Sequence, residues 1–209
     1  MSAVYVLVGL VAYLIGSINF AIIFSKKFAG FDVREKGSGN AGTTNMLRSV
    51  GKGLAVLTLI CDILKGIVAI LVAYWIGKIA TDIKPEILIQ LAGFFAIVGH
   101  TFPVYFGFKG GKGVATSLGI LLLVNWQIGL ICLVFALLVM VFTRMVSLGS
   151  IMAALLFPVL TIFITEHYIV DGNYIIFGIA MAVFVIFNHR SNLKRIYKGE
   201  ENKLSFKNN

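Results

Sequence analysis

Residues 114–143 read VATSLGILLLVNWQIGLICLVFALLVMVFT and carry no charged side chain. A bilayer crossing by an α-helix takes roughly 20 apolar residues. The stretch is therefore either one over-long span or two short ones broken at Asn125-Trp126-Gln127. Further apolar segments run over residues 3–25, 54–77, 87–106, 147–165 and 174–188. One span across 114–143 gives six crossings; a break, leaving 114–124 and 127–143, gives seven. Charge bias separates the two. With seven crossings, the connections 26–53, 107–113 and 144–146 and the tail 189–209 share one side and hold 15 of the 18 Lys and Arg residues. Six crossings put the basic tail opposite the basic first loop. The excess of Lys and Arg on cytoplasmic loops favours seven transmembrane helices, amino terminus outside and carboxyl terminus in the cytoplasm.

The composition agrees with a membrane chain. Of 209 residues, 59% are apolar and only 13% charged, with a net charge of +9 and a mean hydropathy of +0.96. A soluble domain carries about 25% charged residues. The expectation is an all-α polytopic helical bundle, a single transmembrane domain over 1–209. No charged side chain precedes Lys26, so the basic region of a cleaved signal is missing and the first segment reads as a retained span. Cys61 and Cys132 both fall inside apolar segments, as small buried residues do, and argue against a disulfide framework or a zinc site.

Three polar islands interrupt the apolar chain on the basic side: GSGNAGTTNMLR at Gly37–Arg48, GHTFPVYFGFKGGKGVAT at Gly99–Thr116, and NHRSNLKR at Asn188–Arg195. A smaller one runs from Thr143-Arg144 to Ser147. No Asp or Glu lies between Glu86 and Glu166, from Lys36 to Arg48, or from Asn173 until Glu200. Arg48, Lys109, Lys112, Arg144, Arg190, Lys194 and Arg195 thus lack a counterion in their own segments. Cations near low dielectric are costly unless an anion arrives. Anionic headgroups account for the flanking cations Lys26, Lys27, Lys194 and Arg195.

Arg48, Lys109 and Lys112 keep different company. Ser38-Gly39-Asn40 and Gly42-Thr43-Thr44-Asn45 can turn several backbone N–H groups one way and hold phosphate oxygens. Gly110, Gly111 and Gly113 let the backbone approach an anion while Lys109 and Lys112 supply charge. Each loop alone is also an ordinary turn. Two of them, both acid-free, point to a ligand with more than one phosphate. The nucleotide phosphate loop is excluded. Its pattern demands Gly four residues before Gly-Lys-Ser/Thr, whereas Phe106 and Gly113 occupy the defining positions.

Of the histidines, His189 ends the last span three residues before Asn192, which sets both on one helix face if the helix continues. Its ordinary pKa suits a general base. His100 reads as structural, with Pro103 ending its helix, and His167 falls on the outer side. Asp62 and Lys65, spaced i, i+3 within a span, are expected to pair.

Two function classes remain on these residues: an enzyme handling phosphates, or a membrane transporter of phosphate or organic phosphate. A transporter places ligand groups near the bilayer midplane, often in repeated halves, and the islands here lie on one side with no repeat.

The three islands together, SGNAGTTNMLR, GHTFPVYFGFKGGKGVAT and NHRSNLKR, resemble the bacterial acyl-phosphate:glycerol-3-phosphate acyltransferases, the PlsY family. The likeness runs from GSI at Gly16 through DILKG at Asp62–Gly66 to the final KGEEN. Asn19 departs from it, standing where proline is expected after GSI. The resemblance implies transfer of an acyl chain from acyl phosphate to the 1-hydroxyl of sn-glycerol 3-phosphate. The products are lysophosphatidic acid and phosphate, in the first step of bacterial phospholipid biosynthesis. It implies a multi-pass protein of the cytoplasmic (inner) membrane with its site on the cytoplasmic face. The partners implied are the two substrates and the lipid bilayer, with no metal, coenzyme or nucleic acid. By the same resemblance Ser38, Gly39 and Asn40 cradle phosphate. Arg48, one or both of Lys109 and Lys112, Ser147 and Asn192 hold phosphate oxygens. Thr43, Asn45, Gly110, Gly111, Gly113 and Thr116 line the substrate site, and His189 and Ser38 are the catalytic candidates, the hydroxyl proton going either to His189 or to the departing phosphate itself. The H-x-x-x-x-D motif of other glycerolipid acyltransferases is absent: Tyr105, Gly172 and Lys194 stand five residues after the three histidines.

Overall fold

The computed structural model describes residues 2–80, 83–164 and 174–204; His167 lies outside them. All regular structure among these residues is helical, and the chain packs as two compact units, Met1–Val124 and Asn125–Asn209.

The first unit opens with α1 (Ser2–Ser17) and α2 (Phe20–Phe24), which runs into a π-helical turn at Ser25–Ala29. The break between them falls at Asn19. Its backbone is extended and its side-chain oxygen accepts from the Ile22 amide at 3.1 Å, capping α2. The proline expected there would have supplied a break by lacking an N–H; asparagine supplies one by capping. A 3₁₀ turn at Val33–Glu35 and α3 (Thr43–Ser49) follow, then the long α4 (Lys52–Ile79), α5 (Pro85–Thr101) and α6 (Val114–Val124).

Small residues set the helix packing. A Cβ on Gly16 would collide with the Ala96 carbonyl, and one on Gly99 with that of Tyr13, so α1 and α5 touch backbone to backbone. Gly66 meets the Thr116 carbonyl and Gly119 that of Ile63, which brings α4 against α6 in the same way. Such contacts hold helices together where lipid removes the hydrophobic drive for association. A small separate core of Ala21, Ile22, Val33, Ala41, Met46 and Ala55 underlies the first polar loop.

The second unit holds α7 (Trp126–Thr143), α8 (Val146–Phe163), α9 (Ile175–Asn188) and α10 (Arg190–Tyr197). Asn125 caps α7, its side-chain oxygen accepting from the Ile128 amide at 3.0 Å. The stretch 114–143 is therefore two helices. Chain reversal into α8 uses Arg144 in a left-handed conformation, φ 60°. α9 and α10 meet at a 62° bend centred on His189.

Among the described residues five helical segments have crossing length: Ala3–Ala29, Lys52–Ile79, Pro85–Phe106, Trp126–Thr143 and Val146–Phe163. The bent α9–α10 pair adds a sixth. α6 is the shortfall against seven. Its 11 residues reach roughly 17 Å at the helical rise, about half the hydrocarbon thickness.

Candidate functional site

In the first unit the two glycine-rich islands lie side by side. The Ala41 amide donates to the Gly110 carbonyl at 3.4 Å. Proline ends α5, and the chain then folds back on the helix it has just left. The Gly110 amide donates to Thr101 O at 3.0 Å and that of Gly111 to His100 O at 3.1 Å. Only glycine fits at 111, since a Cβ would enter the His100 ring and press on the Ala41 carbonyl. Gly113, at φ +84°, turns the chain into α6.

Arg34 clamps the loops together. Its guanidinium donates to the carbonyls of Phe106 at 2.7 Å and Lys109 at 3.0 Å. It also grips Asp32 through both carboxylate oxygens, at 3.0 and 2.7 Å, and Lys26 stands 3.2 Å from the same carboxylate. The Arg34 hydrogen bonds hold the Asp32 carboxyl down at about 2, against the cost of its burial. Neither Asp32 nor Arg34 was singled out from sequence; an Asp-x-Arg beside an acid-free island was the signal available.

Asn45 organises the first loop. It is buried, and its side-chain oxygen accepts from the Ser38 amide at 2.9 Å while its nitrogen donates to the carbonyls of Val33 at 2.8 Å and Lys36 at 3.0 Å. Both ends of the Asn45 amide, expected as a substrate ligand, are engaged inside the loop. The Gly39 amide likewise donates to Lys36 O at 3.1 Å. Ser38, Gly39, Arg48 and Lys109 are exposed, and Asn40, Thr43, Gly110 and Lys112 half-buried. Thr116 belongs to the same expectation. It has no exposed surface, because it sits in the crossing of α6 with Gly66 of α4.

The second unit has its own polar cluster. Ser147 donates to Glu201 Oε1 at 2.9 Å, Asn192 to the same oxygen at 2.7 Å, and Arg195 Nε to Oε2 at 2.9 Å. Arg195 therefore has a counterion, six residues on, which the survey of its own segment missed. Burial pushes the Glu201 carboxyl up, but the bonds from Asn192 and Ser147 and the charge of Arg195 outweigh it and hold it below the ordinary value. A carboxylate here occupies the kind of donor set a phosphate oxygen would use. Leu204 donates to Arg144 O at 2.7 Å, tying down the tail that carries Glu201.

His189 is buried in the α9–α10 bend, so the helix does not continue straight through it. Its Nδ1 lies 2.7 Å from the Val185 carbonyl. A carbonyl only accepts, so Nδ1 carries the proton and Nε2 is the basic nitrogen of the neutral ring.

Helices of membrane length define a membrane protein, one that carries an acid-free glycine-lysine loop in its first unit and a histidine with a fixed tautomer in its second. The family model for glycerol-3-phosphate acyltransferase matches residues 6–199, and the chain belongs to that family. It is 44% identical to the glycerol-3-phosphate acyltransferase of Nostoc sp. over 95% of this chain and 91% of that one. It is 40% identical to that of Clostridioides difficile (strain 630), over 97% of each. Among solved structures it is similar to PlsY (YgiH), an integral membrane glycerol 3-phosphate acyltransferase. The glycerol 3-phosphate form of that protein matches with a TM-score of 0.83 and 34% identity over 96% of each chain. Its lysophosphatidic acid form matches with a TM-score of 0.81 and 33% identity. This chain is accordingly a multi-pass integral membrane protein.

Proposed function

We propose that this protein moves an acyl chain from acyl phosphate to the 1-hydroxyl of sn-glycerol 3-phosphate, releasing lysophosphatidic acid and phosphate. The observation that carries the reading is the likeness, along nearly the whole chain, to a structure holding glycerol 3-phosphate and to another holding lysophosphatidic acid. That is an acceptor and its acylated product. The acyl phosphate donor rests on the family resemblance and on the second set of anion-binding side chains. The match through both units, over residues 6–199, supports treating 1–209 as one acyltransferase domain.

Acyl phosphate is an activated mixed anhydride, so positioning and charge neutralisation are most of what the protein must supply. Ser38, Asn40, Thr43, Arg48, Lys109, Lys112 and Gly113 serve phosphate in the first unit, Gly39, Gly110 and Gly111 letting the backbone approach it. Ser147 and Asn192 serve it in the second by exchanging the Glu201 carboxylate for it. The acceptor hydroxyl oxygen attacks the acyl carbonyl carbon. The bond from that carbon to the phosphate oxygen breaks, and phosphate leaves with the electron pair. The hydroxyl proton passes to His189 Nε2, a role its fixed tautomer supports. Ser38 is the catalytic candidate of the first unit.

The chain crosses the inner membrane of a bacterium seven times in this reading, α6 making a short crossing, with the amino terminus outside and the site on the cytoplasmic face. The two-helix form of 114–143 and the concentration of Lys and Arg in one set of connections support that topology.

The test is lysophosphatidate formation by the purified protein from palmitoyl phosphate and glycerol 3-phosphate, with palmitoyl-CoA in a parallel tube. Product from acyl phosphate alone is expected. Product from the CoA tube alone overturns the donor. No product from either, with uptake of glycerol phosphate into proteoliposomes, restores the transporter.

A further inference from the structure

Directly beneath the glycine-lysine loop the first unit buries three titratable side chains for which the reaction above has no use. Asp62, Lys65 and His100 are 1%, 4% and 3% exposed. Lys65 Nζ stands 2.9 Å from Asp62 Oδ1 and donates to the Ile18 carbonyl at 2.7 Å. His100 Nδ1 lies 3.6 Å from the same carboxylate oxygen.

Ionisable groups inside a membrane helix bundle are expensive and are kept where they perform a task. Satisfying one another would take only Asp62 and Lys65. His100 is the addition, and its place is informative. One edge of the ring faces Asp62; the other, at Nε2 and Cε1, fills the space where a side chain at 111 would be. Its backbone carbonyl meanwhile holds the Gly111 amide. The imidazole is thus the floor on which the Gly110–Gly111 backbone rests.

The contacts also close on themselves. Lys65 fixes Ile18, and the next residue, Asn19, donates from Nδ2 to the Ala41 carbonyl at 3.3 Å. The Ala41 amide binds Gly110, and Gly111 returns to His100 and Asp62. We propose that Asp62, Lys65 and His100 form a buried node in which His100 is a positioning residue, setting the Gly110–Gly111 backbone against Ala41 and so aiming Lys109 and Lys112 at substrate phosphate. Asp62 faces the imidazole at 3.6 Å, without a hydrogen bond, and Lys65 fixes both Asp62 and the α1–α2 break. The inference rests on the reading that this loop holds a substrate phosphate.

Full-length protein carrying His100→Ala, His100→Gln, Lys109→Ala or Lys112→Ala is assayed for kcat, for KM of both substrates and for thermal midpoint. Gly111→Ala is assayed alone and with His100→Ala. A misaimed loop loses binding before chemistry. His100→Ala is expected to raise one KM by about tenfold while kcat changes less, with His100→Gln recovering most of it. Gly111→Ala, which drives a methyl into the ring, is expected to be partly rescued by His100→Ala. A midpoint that falls with both KM values unchanged overturns the node, as does strict additivity of the 100 and 111 substitutions. Should His100→Ala fail to fold, His100→Gln and the Gly111 variants still decide. A KM raised by the lysine variants and by neither His100 substitution overturns the node alone. A KM raised by no variant overturns the phosphate reading of the loop.

Discussion

The amide of Ala41 and the carbonyl of Gly110 meet at 3.4 Å, and this bond makes one surface of two loops that are far apart in the chain. A backbone bond so long carries little energy of its own. What keeps the loops in register is the set of side chains on either side of it: Arg34 from above and Asn19 and His100 from below.

Arg34 is the outermost of these, and it joins three partners through a planar fork. Arg34→Ala releases the carbonyls of Phe106 and Lys109 and leaves Asp32 with Lys26 and the backbone amide of residue 34. The KM for a phosphorylated substrate should rise by roughly tenfold. Arg34→Lys should recover little, because a point charge cannot reproduce the fork. Kinetics of the two variants that match wild type would remove the clamp from the argument.

Asp32 gives the clamp a pH signature. Its carboxyl titrates at about 2 in the folded protein, below its ordinary 3.8. A depressed folded value means stabilisation that is complete above the unfolded value and lost as pH falls through the folded one. The stake is roughly 2 kcal/mol. Between pH ~4 and ~2 the thermal midpoint of the wild type should fall more steeply than that of Asp32→Asn, which has no carboxylate to protonate. Parallel curves would show that the Asp32–Arg34 contact contributes nothing measurable.

Sequence and structure agree best where periodic apolar runs carry the information. The helices were legible, as was the break at Asn125, whose side chain caps as its type predicts. The Asp62–Lys65 pair followed from i, i+3 spacing on one helix. The two loops were legible as islands of glycine and cation. Their internal wiring was not. Whether Asn45 points at a ligand or back into its own loop depends on where Val33 and Lys36 present carbonyls, which no local pattern encodes. The Glu201 contacts reach 9 and 54 residues back along the chain, too far for spacing rules. His100 was read as structural, and the carboxylate facing it comes from α4 rather than from its own segment. The bend at His189 needs neither glycine nor proline, so nothing in the letters announced it.

Asn45 offers a test of scaffold against ligand. Asn45→Ala strands the buried Val33 carbonyl and releases the part-buried Ser38 amide and Lys36 carbonyl to water, at about 1–3 kcal/mol. Asn45→Asp keeps the acceptor for Ser38 but sets a carboxylate oxygen against the Val33 and Lys36 carbonyls. Both should lower the thermal midpoint, Asp more than Ala, without substrate present. A midpoint unchanged in the apo protein, with KM alone altered, would return Asn45 to the ligand set.

His189 separates two routes for the proton. With Nδ1 held by Val185 O, removal of the ring takes away a base at Nε2. His189→Ala should cost at least ~10²-fold in kcat if that nitrogen receives the hydroxyl proton. His189→Gln keeps a donor and loses the base, so it should be nearly as slow. A His189→Ala enzyme within a few-fold of wild type would place the proton on the departing phosphate.

Glu201 is the most consequential residue of the second unit that the sequence left unmarked. Three donors converge on its carboxylate, and hydrogen bonds to a charged group contribute about 1.5–3 kcal/mol each. Glu201→Ala leaves the Ser147 hydroxyl, the Asn192 amide and Arg195 without their acceptor and releases the tail beyond α10. The thermal midpoint should fall by about 10 °C or more. Glu201→Gln keeps an oxygen for Ser147 and Asn192 but turns an amide toward Arg195 Nε, donor against donor, so its loss should be intermediate. The Glu201 carboxyl is held below its ordinary value. Its stabilisation is therefore present above the unfolded value and lost as pH falls through the folded one. Wild type should lose midpoint on acidification through that window, and Glu201→Gln should not. If Glu201→Ala melts with the wild type at neutral pH, the three bonds offset only their own desolvation, and the cluster is not what orders Ser147 and Asn192.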